Sequence, residues 1–170
     1  PFYVDERTIV PRSFIAEVIA AIPEATNIDE WLSPDTTRVL DLCTGNGSLA
    51  VLAALAWPEV QVTGADISND ALAVATINVE RHDLQERVKL VHSDGLSALP
   101  GPFDLILCNP PYVCQASMDA LPAEYRAEPA LALAGGTDGM AFVRQLFKDA
   151  PSRMSEQAIL VLDIGDEIEQ

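Results

Sequence analysis

The sequence predicts an α/β fold, a mostly parallel sheet with helices on both faces. Three observations point there. Five short apolar runs recur along the chain. Their centres are rich in Val, Leu and Ile without polar alternation, as strands covered on both faces require. Helical periodicity lies between most of them, and alternating strand and helix implies parallel strands joined by right-handed crossovers.

In chain order the expected strands are 37–43, 60–67, 88–94, 103–108 and 158–164. Helices are expected over 48–57 and 69–81. Leu72, Ala75 and Val79 would form the apolar face of the second, with Ser68 as its N-cap. A later helix would bury Met140, Val143, Phe147 and Ala150. Ahead of the first strand, Phe14, Ile15, Val18, Ile19 and Ile22 form an amphipathic stripe, and an extended piece over 2–11 leads into it. The segment 113–137 is long and punctuated by Pro and Gly, which reads as a functional lid beside a strand end. Residues 1–170 are therefore expected to be one domain: an N-terminal segment and helix (1–32), a ligand-binding sheet (36–112), the lid, and a last helix and strand (138–170).

Composition narrows the partners. Lys plus Arg number 10 against 26 Asp plus Glu, a formal charge of −16. A surface this acidic repels a phosphate backbone and attracts a basic protein, so direct nucleic-acid binding is not expected. The longest apolar run, 49–57, ends at Pro58 and falls short of the ~20 residues of a membrane span. No signal peptide is visible. Cys43, Cys108 and Cys114 lack metal-ligand spacing and read as small buried side chains in a reducing compartment, so the chain is expected to be cytoplasmic and to bind no metal. Composition leaves the oligomeric state open.

Ligands of parallel sheets bind beyond the carboxyl ends of the strands. The first strand ends Asp41-Leu42-Cys43-Thr44-Gly45-Asn46-Gly47, where Gly45 and Gly47 allow a tight turn and close approach of a ligand. The second ends in Asp66-Ile67, with Asp66 nineteen residues after Gly47, a spacing that lets a carboxylate accept from two ribose hydroxyls. The third ends in Asp94-Gly95, and an acid there can accept from an exocyclic amine. Three acids at three successive strand ends, with the glycines, describe a nucleoside site. His82 and His92 have no evident catalytic partner and read as structural.

The fourth strand runs straight into Asn109-Pro110-Pro111-Tyr112. Two consecutive prolines fix φ and remove two N–H donors, so only carbonyl oxygens remain. Asn109 adds a side-chain acceptor and Tyr112 an aromatic wall. This rigid cluster suits a planar –NH2 group. Acceptors on the two N–H groups would favour positive charge developing on nitrogen and would aim its lone pair, with no metal and no strong base needed.

These strand ends resemble the class I S-adenosylmethionine-dependent methyltransferases, with their Rossmann-like fold, and Asn-Pro-Pro-Tyr resembles the amino-methylating members. Phe2-Tyr3-Val4-Asp5-Glu6-Arg7, Val10-Pro11-Arg12-Ser13 and the stretch from Glu128-Pro129 to Asp138-Gly139 are similar to the protein-glutamine methyltransferase family. Ser13-Phe14-Ile15-Ala16-Glu17 after Arg12, with Leu121-Pro122-Ala123-Glu124-Tyr125-Arg126, resembles the branch acting on ribosomal protein uL3 more than the release-factor branch. The resemblance implies S-adenosylmethionine as cofactor, S-adenosylhomocysteine as product and a glutamine amide as acceptor. It implies that Asp41, Cys43, Gly45, Gly47, Asp66, Ile67, Asp94, Gly95, Asn109 and Arg12 surround the cofactor. Asn109, Pro110, Pro111 and Tyr112 would hold the glutamine, with Asn109, Pro110 and Tyr112 catalytic. It also implies a catalytic core that lacks a preceding recruiting domain and a closing strand pair, leaving the last strand as an uncovered edge.

Three rival readings use some of these residues. A DNA or RNA amino methyltransferase shares the Asn-Pro-Pro-Tyr logic on a base, but the charge opposes it. An NAD-dependent dehydrogenase could use Gly45-x-Gly47-x-x-Ala50 and Asp66, yet leaves Asn109 to Tyr112 without a job. A non-catalytic nucleoside-binding module needs only the first three strand ends.

Overall fold

The computed structural model describes residues 1–20, 28–111 and 139–164. Its centre is a five-stranded, wholly parallel sheet: β1 (Arg38–Leu42), β2 (Gln61–Asp66), β3 (Val88–His92), β4 (Phe103–Cys108) and β5 (Met154–Leu162). The spatial order is β3-β2-β1-β4-β5. Sequence order therefore reverses between β1 and β4, and their carboxyl ends diverge to leave a crevice there. Register pairs Leu42 with Ala65 on one side and with Cys108 on the other, so the ends of β1, β2 and β4 stand side by side.

Among the described residues, four α-helices accompany the sheet: α1 (Ile15–Ile19), α2 (Ser48–Ala56), α3 (Asn69–Arg81) and α4 (Ala141–Asp149). Alternate residues of each central strand face opposite sides. Val39, Val62, Leu105 and Leu107 pack with Ile15, Ile19, Val51 and Val79 from α1, α2 and α3. Leu40, Leu42, Ala65 and Ile106 pack with Leu96, Leu99, Leu146 and Ala150 on the other face. Both faces are thus covered, which is why the strands carry no polar alternation. The expected sheet with helices on both faces is what the chain forms.

The helix faces differ in detail from expectation. α3 is capped by Ser68, whose Oγ accepts from the Ala71 N–H at 3.2 Å. It buries Ala71, Val74, Ala75, Asn78 and Val79, while Leu72 stays half-exposed. Small Ala71 and Ala75 let α3 approach the sheet closely, and the bulkier Leu72 fits better at the rim. In α4, Leu146 takes the buried place assigned to Phe147, which is 58% exposed. Val143, Leu146 and Ala150 follow spacings of three and four, and Phe147 lies one step around the helix from that line. Phe14 is likewise 70% exposed, whereas Ile15 and Ile19 are buried. Ile22 lies outside the described residues.

β5 begins four residues before the expected start. Ser155, Glu156 and Gln157 give no apolar signal, yet the backbone pairs Met154 with Phe103. The register then slips between Phe103 and Leu105, so that Leu105 faces Ile159. Asp104, beside the slip, accepts from the Ser155 hydroxyl and from the Thr37 and Arg38 N–H groups. Burial alone would raise its pKa, but these donors outweigh it and hold the carboxyl below its ordinary range. β5 is an edge of the described sheet. Among the described residues, no helix is long and apolar enough to cross a membrane.

Candidate functional site

The turn after β1 is built around a buried carboxyl. Asp41 is 0% exposed. Its Oδ2 accepts from the Thr44 hydroxyl at 2.5 Å and from the Ala50 N–H at 2.9 Å, in the first turn of α2. Burial raises its pKa to about 7, against the pull of those two donors and with a further push from the Asp66 charge. Asp41 thus braces the turn from behind and does not reach the cavity, so the structure does not place it against a ligand.

Thr44 N–H donates to Ala65 C=O, and Gly47 N–H donates to Thr44 C=O. Gly45 and Gly47 both have positive φ, +55° and +78°. Their roles differ. A Cβ on Gly45 would meet nothing within 4 Å, so its Cα faces open space. A Cβ on Gly47 would sit 3.0 Å from Ala75 Cβ. Gly47 therefore serves the packing of α2 on α3, away from the cavity. Cys43 also has positive φ, +60°, and is half-exposed, not buried as expected. It sits at the mouth of the turn and lines the strand-end cavity. Cys108 is buried, and desolvation followed by its contact with Cys43 pushes its thiol up.

Asp66, the last residue of β2, binds the glycine turn through its carboxylate. Oδ2 accepts from the Gly45 N–H and Oδ1 from the Ser68 N–H, both at 2.9 Å. Each oxygen keeps lone-pair capacity for another donor. β3 ends at His92, two residues before Asp94. Ser93 is buried and its hydroxyl donates to Gly95 C=O, forming a turn that leaves Asp94 exposed. Gly95 has φ +52° and open space where a Cβ would stand. His92 Nε2 lies 2.8 Å from Ile67 C=O, and His82 caps α3 with Phe2 edge-on to its ring. His92 is exposed, and the buried Nε2 of His82 has no hydrogen-bond partner among the described residues.

One cavity of about 880 Å³ gathers these ends. Cys43, Gly45, Asp66, Ile67, Asp94 and Gly95 line it, together with Asn109, Pro111 and Arg12. Pro110 is buried beneath and does not line the wall. Tyr112 and the whole of 113–137 lie outside the described residues. The open space at Gly45 and Gly95, beside the Asp66 and Asp94 carboxylates, fits the flat rings and hydroxyls of a nucleoside. Among the described residues no cluster of three metal-ligating side chains occurs.

Sequence reasoning missed two residues here. Asn78 is 0% exposed and fully bonded. Its Oδ1 accepts from Tyr3 N–H at 2.7 Å, and its Nδ2 donates to Tyr3 C=O at 2.9 Å and Asn46 C=O at 2.8 Å. A polar residue in the buried stripe of α3 was the available signal. Asp163 accepts from the Ser13 hydroxyl at 2.6 Å and from Phe14 N–H at 2.9 Å. That pairing spans 150 positions and has no local trace.

Comparison with known proteins agrees with this geometry. The chain is 52% identical over 173 residues to a ribosomal protein uL3 glutamine methyltransferase of Bordetella pertussis, covering 98% of this chain and 55% of that protein. It is 47% identical over 180 residues to one from Burkholderia pseudomallei, covering 98% and 56%. The chain spans about half the length of these relatives. Among solved structures, the hMettl16 catalytic domain in complex with a MAT2A 3′UTR hairpin superposes with a TM-score of 0.68 at 15% identity, covering 90% of this chain and 58% of that one. At that identity the likeness concerns the fold alone. The Methyltransferase small domain profile matches residues 26–157. This chain, with its Rossmann-like parallel sheet and strand-end cavity, belongs to the Methyltransferase small domain family.

Proposed function

We propose that this chain is the catalytic core of an enzyme that transfers a methyl group from S-adenosylmethionine to the side-chain amide nitrogen of a protein glutamine, with ribosomal protein uL3 as the substrate. One observation carries the reading. Asn109 and Pro111, at the end of β4, line the same cavity as Gly45, Asp66 and Asp94. An acceptor cluster for an –NH2 group and a nucleoside site thus share one wall. The names of the two relatives supply the substrate, and the charge of −16 suits a basic ribosomal protein.

Asp66 would accept from the ribose hydroxyls and Asp94 from the adenine amine, with Gly45 and Gly95 giving the rings room. The bound cofactor supplies an electrophilic methyl group on a sulfonium. Asn109 Oδ1 and a backbone carbonyl of the turn that it and Pro111 bring to the cavity wall would accept from the two N–H groups of the glutamine amide. That favours positive charge on nitrogen in the transition state and fixes the direction of its lone pair. After transfer the nitrogen is acidic and loses its proton to solvent.

The test uses the full-length protein with methyl-labelled cofactor and separated ribosomal proteins and release factors. Label on uL3 glutamine is expected. Label on a release factor would move the substrate, label on nucleic acid would overturn the amide reading, and cofactor binding without any transfer would leave only a binding module. Asn109→Ala should lower turnover by two orders of magnitude or more, the scale of losing a transition-state acceptor, with cofactor affinity near wild type. Normal turnover in that variant would end the acceptor-cluster mechanism.

A further inference from the structure

The proposed reaction uses the carboxyl ends of the strands, but a second wall of the cavity comes from elsewhere. Arg7, Thr8, Ile9, Pro11, Arg12 and Ser13 line it, from the segment that precedes α1. This segment is a strap across the sheet edge, fastened at both ends. At the first end, the Asn78 carboxamide takes both backbone groups of Tyr3. The Phe2 ring meets His82 at 5.3 Å and Arg81 lies 5.0 Å over the Tyr3 ring. At the second end, Asp163 Oδ2 takes the Ser13 hydroxyl and the Phe14 N–H. Between them, the Arg7 guanidinium grips both Asp5 oxygens and Thr8 N–H donates to Asp5 C=O, which stiffens the span.

Each fastening also reaches the site. The same Asn78 Nδ2 that holds Tyr3 donates to Asn46 C=O, inside the glycine turn. The Asp163 N–H donates to Cys108 C=O at 3.0 Å, one residue before Asn109. We propose that Asn78 and Asp163 are positioning residues: they key the 3–13 strap to the cofactor turn at one end and to the acceptor cluster at the other, so that the strap holds cofactor in the cavity. This proposal rests on the nucleoside reading of that cavity.

The chemistry of the two fastenings suggests how to separate this role from plain folding. Asp163 is half-buried at the end of an edge strand, so its loss spares the core. Asp163→Asn keeps an amide oxygen that can accept both donors, whereas Asp163→Ala keeps none. Asn78 is fully buried, so Tyr3→Pro loosens that end instead by deleting the N–H that Asn78 accepts. S-adenosylhomocysteine affinity is read by calorimetry and amide hydrogen exchange over 3–14 by mass spectrometry, on the full-length protein.

Asp163→Ala and Tyr3→Pro are each expected to speed exchange across the strap and to weaken binding about tenfold, the scale of a lost hydrogen bond to a charged or fully desolvated partner. Asp163→Asn should restore affinity to within about threefold, on the same scale. Exchange that rises while affinity stays within about twofold would overturn the proposal. So would an equal loss in Asp163→Asn and Asp163→Ala. A wild-type protein that binds no S-adenosylhomocysteine would bring down the nucleoside reading and this proposal together. Binding without transfer to glutamine would count against the reaction alone and leave the strap result to stand.

Discussion

Asp41→Asn tests whether the buried carboxyl behind the glycine turn titrates within the physiological range. The wild-type side chain has its pKa raised from 3.8 to about 7, chiefly by desolvation. The folded state therefore holds its proton more tightly than the unfolded state does. The stability it contributes is present at low pH and is lost progressively as pH rises from about 4 to about 7. Across that window the loss amounts to roughly 4 kcal/mol. The asparagine amide has no such charge to form. Its oxygen can accept from Thr44 and Ala50 in place of Oδ2, while its N–H groups point where Oδ1 finds no partner among the described residues. An unpaired buried donor costs about 1–3 kcal/mol. The variant should thus be less stable than wild type near pH 4 by about that amount and more stable near pH 8 by about 1–3 kcal/mol. Urea unfolding of both proteins at steps between pH 4 and pH 8 reads this as two stability curves that cross. Carboxylates not coupled to Asp41, such as Asp104, contribute equally to both proteins and cancel. Curves that run parallel through the whole range would refute the reasoning.

Two further outcomes follow from the turn. Asp66→Ala removes the acceptor at the end of β2 and should weaken S-adenosylhomocysteine binding by at least tenfold, since hydrogen bonds to a charged group are worth about 1.5–3 kcal/mol each; calorimetry that finds unchanged affinity would clear Asp66 of any role. Gly47→Ala should destabilise the fold by about 1–3 kcal/mol, because its Cβ would stand 3.0 Å from Ala75 Cβ at a backbone φ of +78°. Gly45→Ala should cost nearer to 1 kcal/mol, the conformational part alone, and instead impair ligand binding by filling the open space. Thermal unfolding and calorimetry of the pair would show whether the two effects separate in this way.

How much of this was legible in the sequence depends on how local each cause is. The strands of the sheet core were legible because two-sided burial writes itself as short runs rich in Val, Leu and Ile. The Ser68 cap and the span of α3 were legible because their determinants lie within one helix turn. The start of β5 was not, since Ser155, Glu156 and Gln157 give no apolar signal and the strand is held there by the Met154–Phe103 pairing and the Ser155 hydroxyl on Asp104. At the site, Asp66, Asp94 and Asn109 could be found because strand ends are predictable places. Asp41, which the resemblance sets beside the cofactor, is fully buried and does not line the cavity. Direction of a side chain at a strand end depends on pleat and packing, and the sequence does not carry that. Asn78 and Asp163 act on partners 75 and 150 positions away, so their neighbourhoods do not name those partners, and only the polar Asn78 in the buried stripe of α3 leaves a local mark.

The cavity of about 880 Å³ has a consequence for inhibitor chemistry. Asp94 and Asn109 line this same cavity. A single compound that joins an adenosine to a primary carboxamide through a short linker would reach both at once. Its two halves would then bind with the entropy of one molecule, so its affinity should exceed that of either half by several orders of magnitude. Selectivity over other proteins would come from the carboxamide half, whose N–H groups suit the carbonyl oxygens that the Asn109–Pro111 turn supplies.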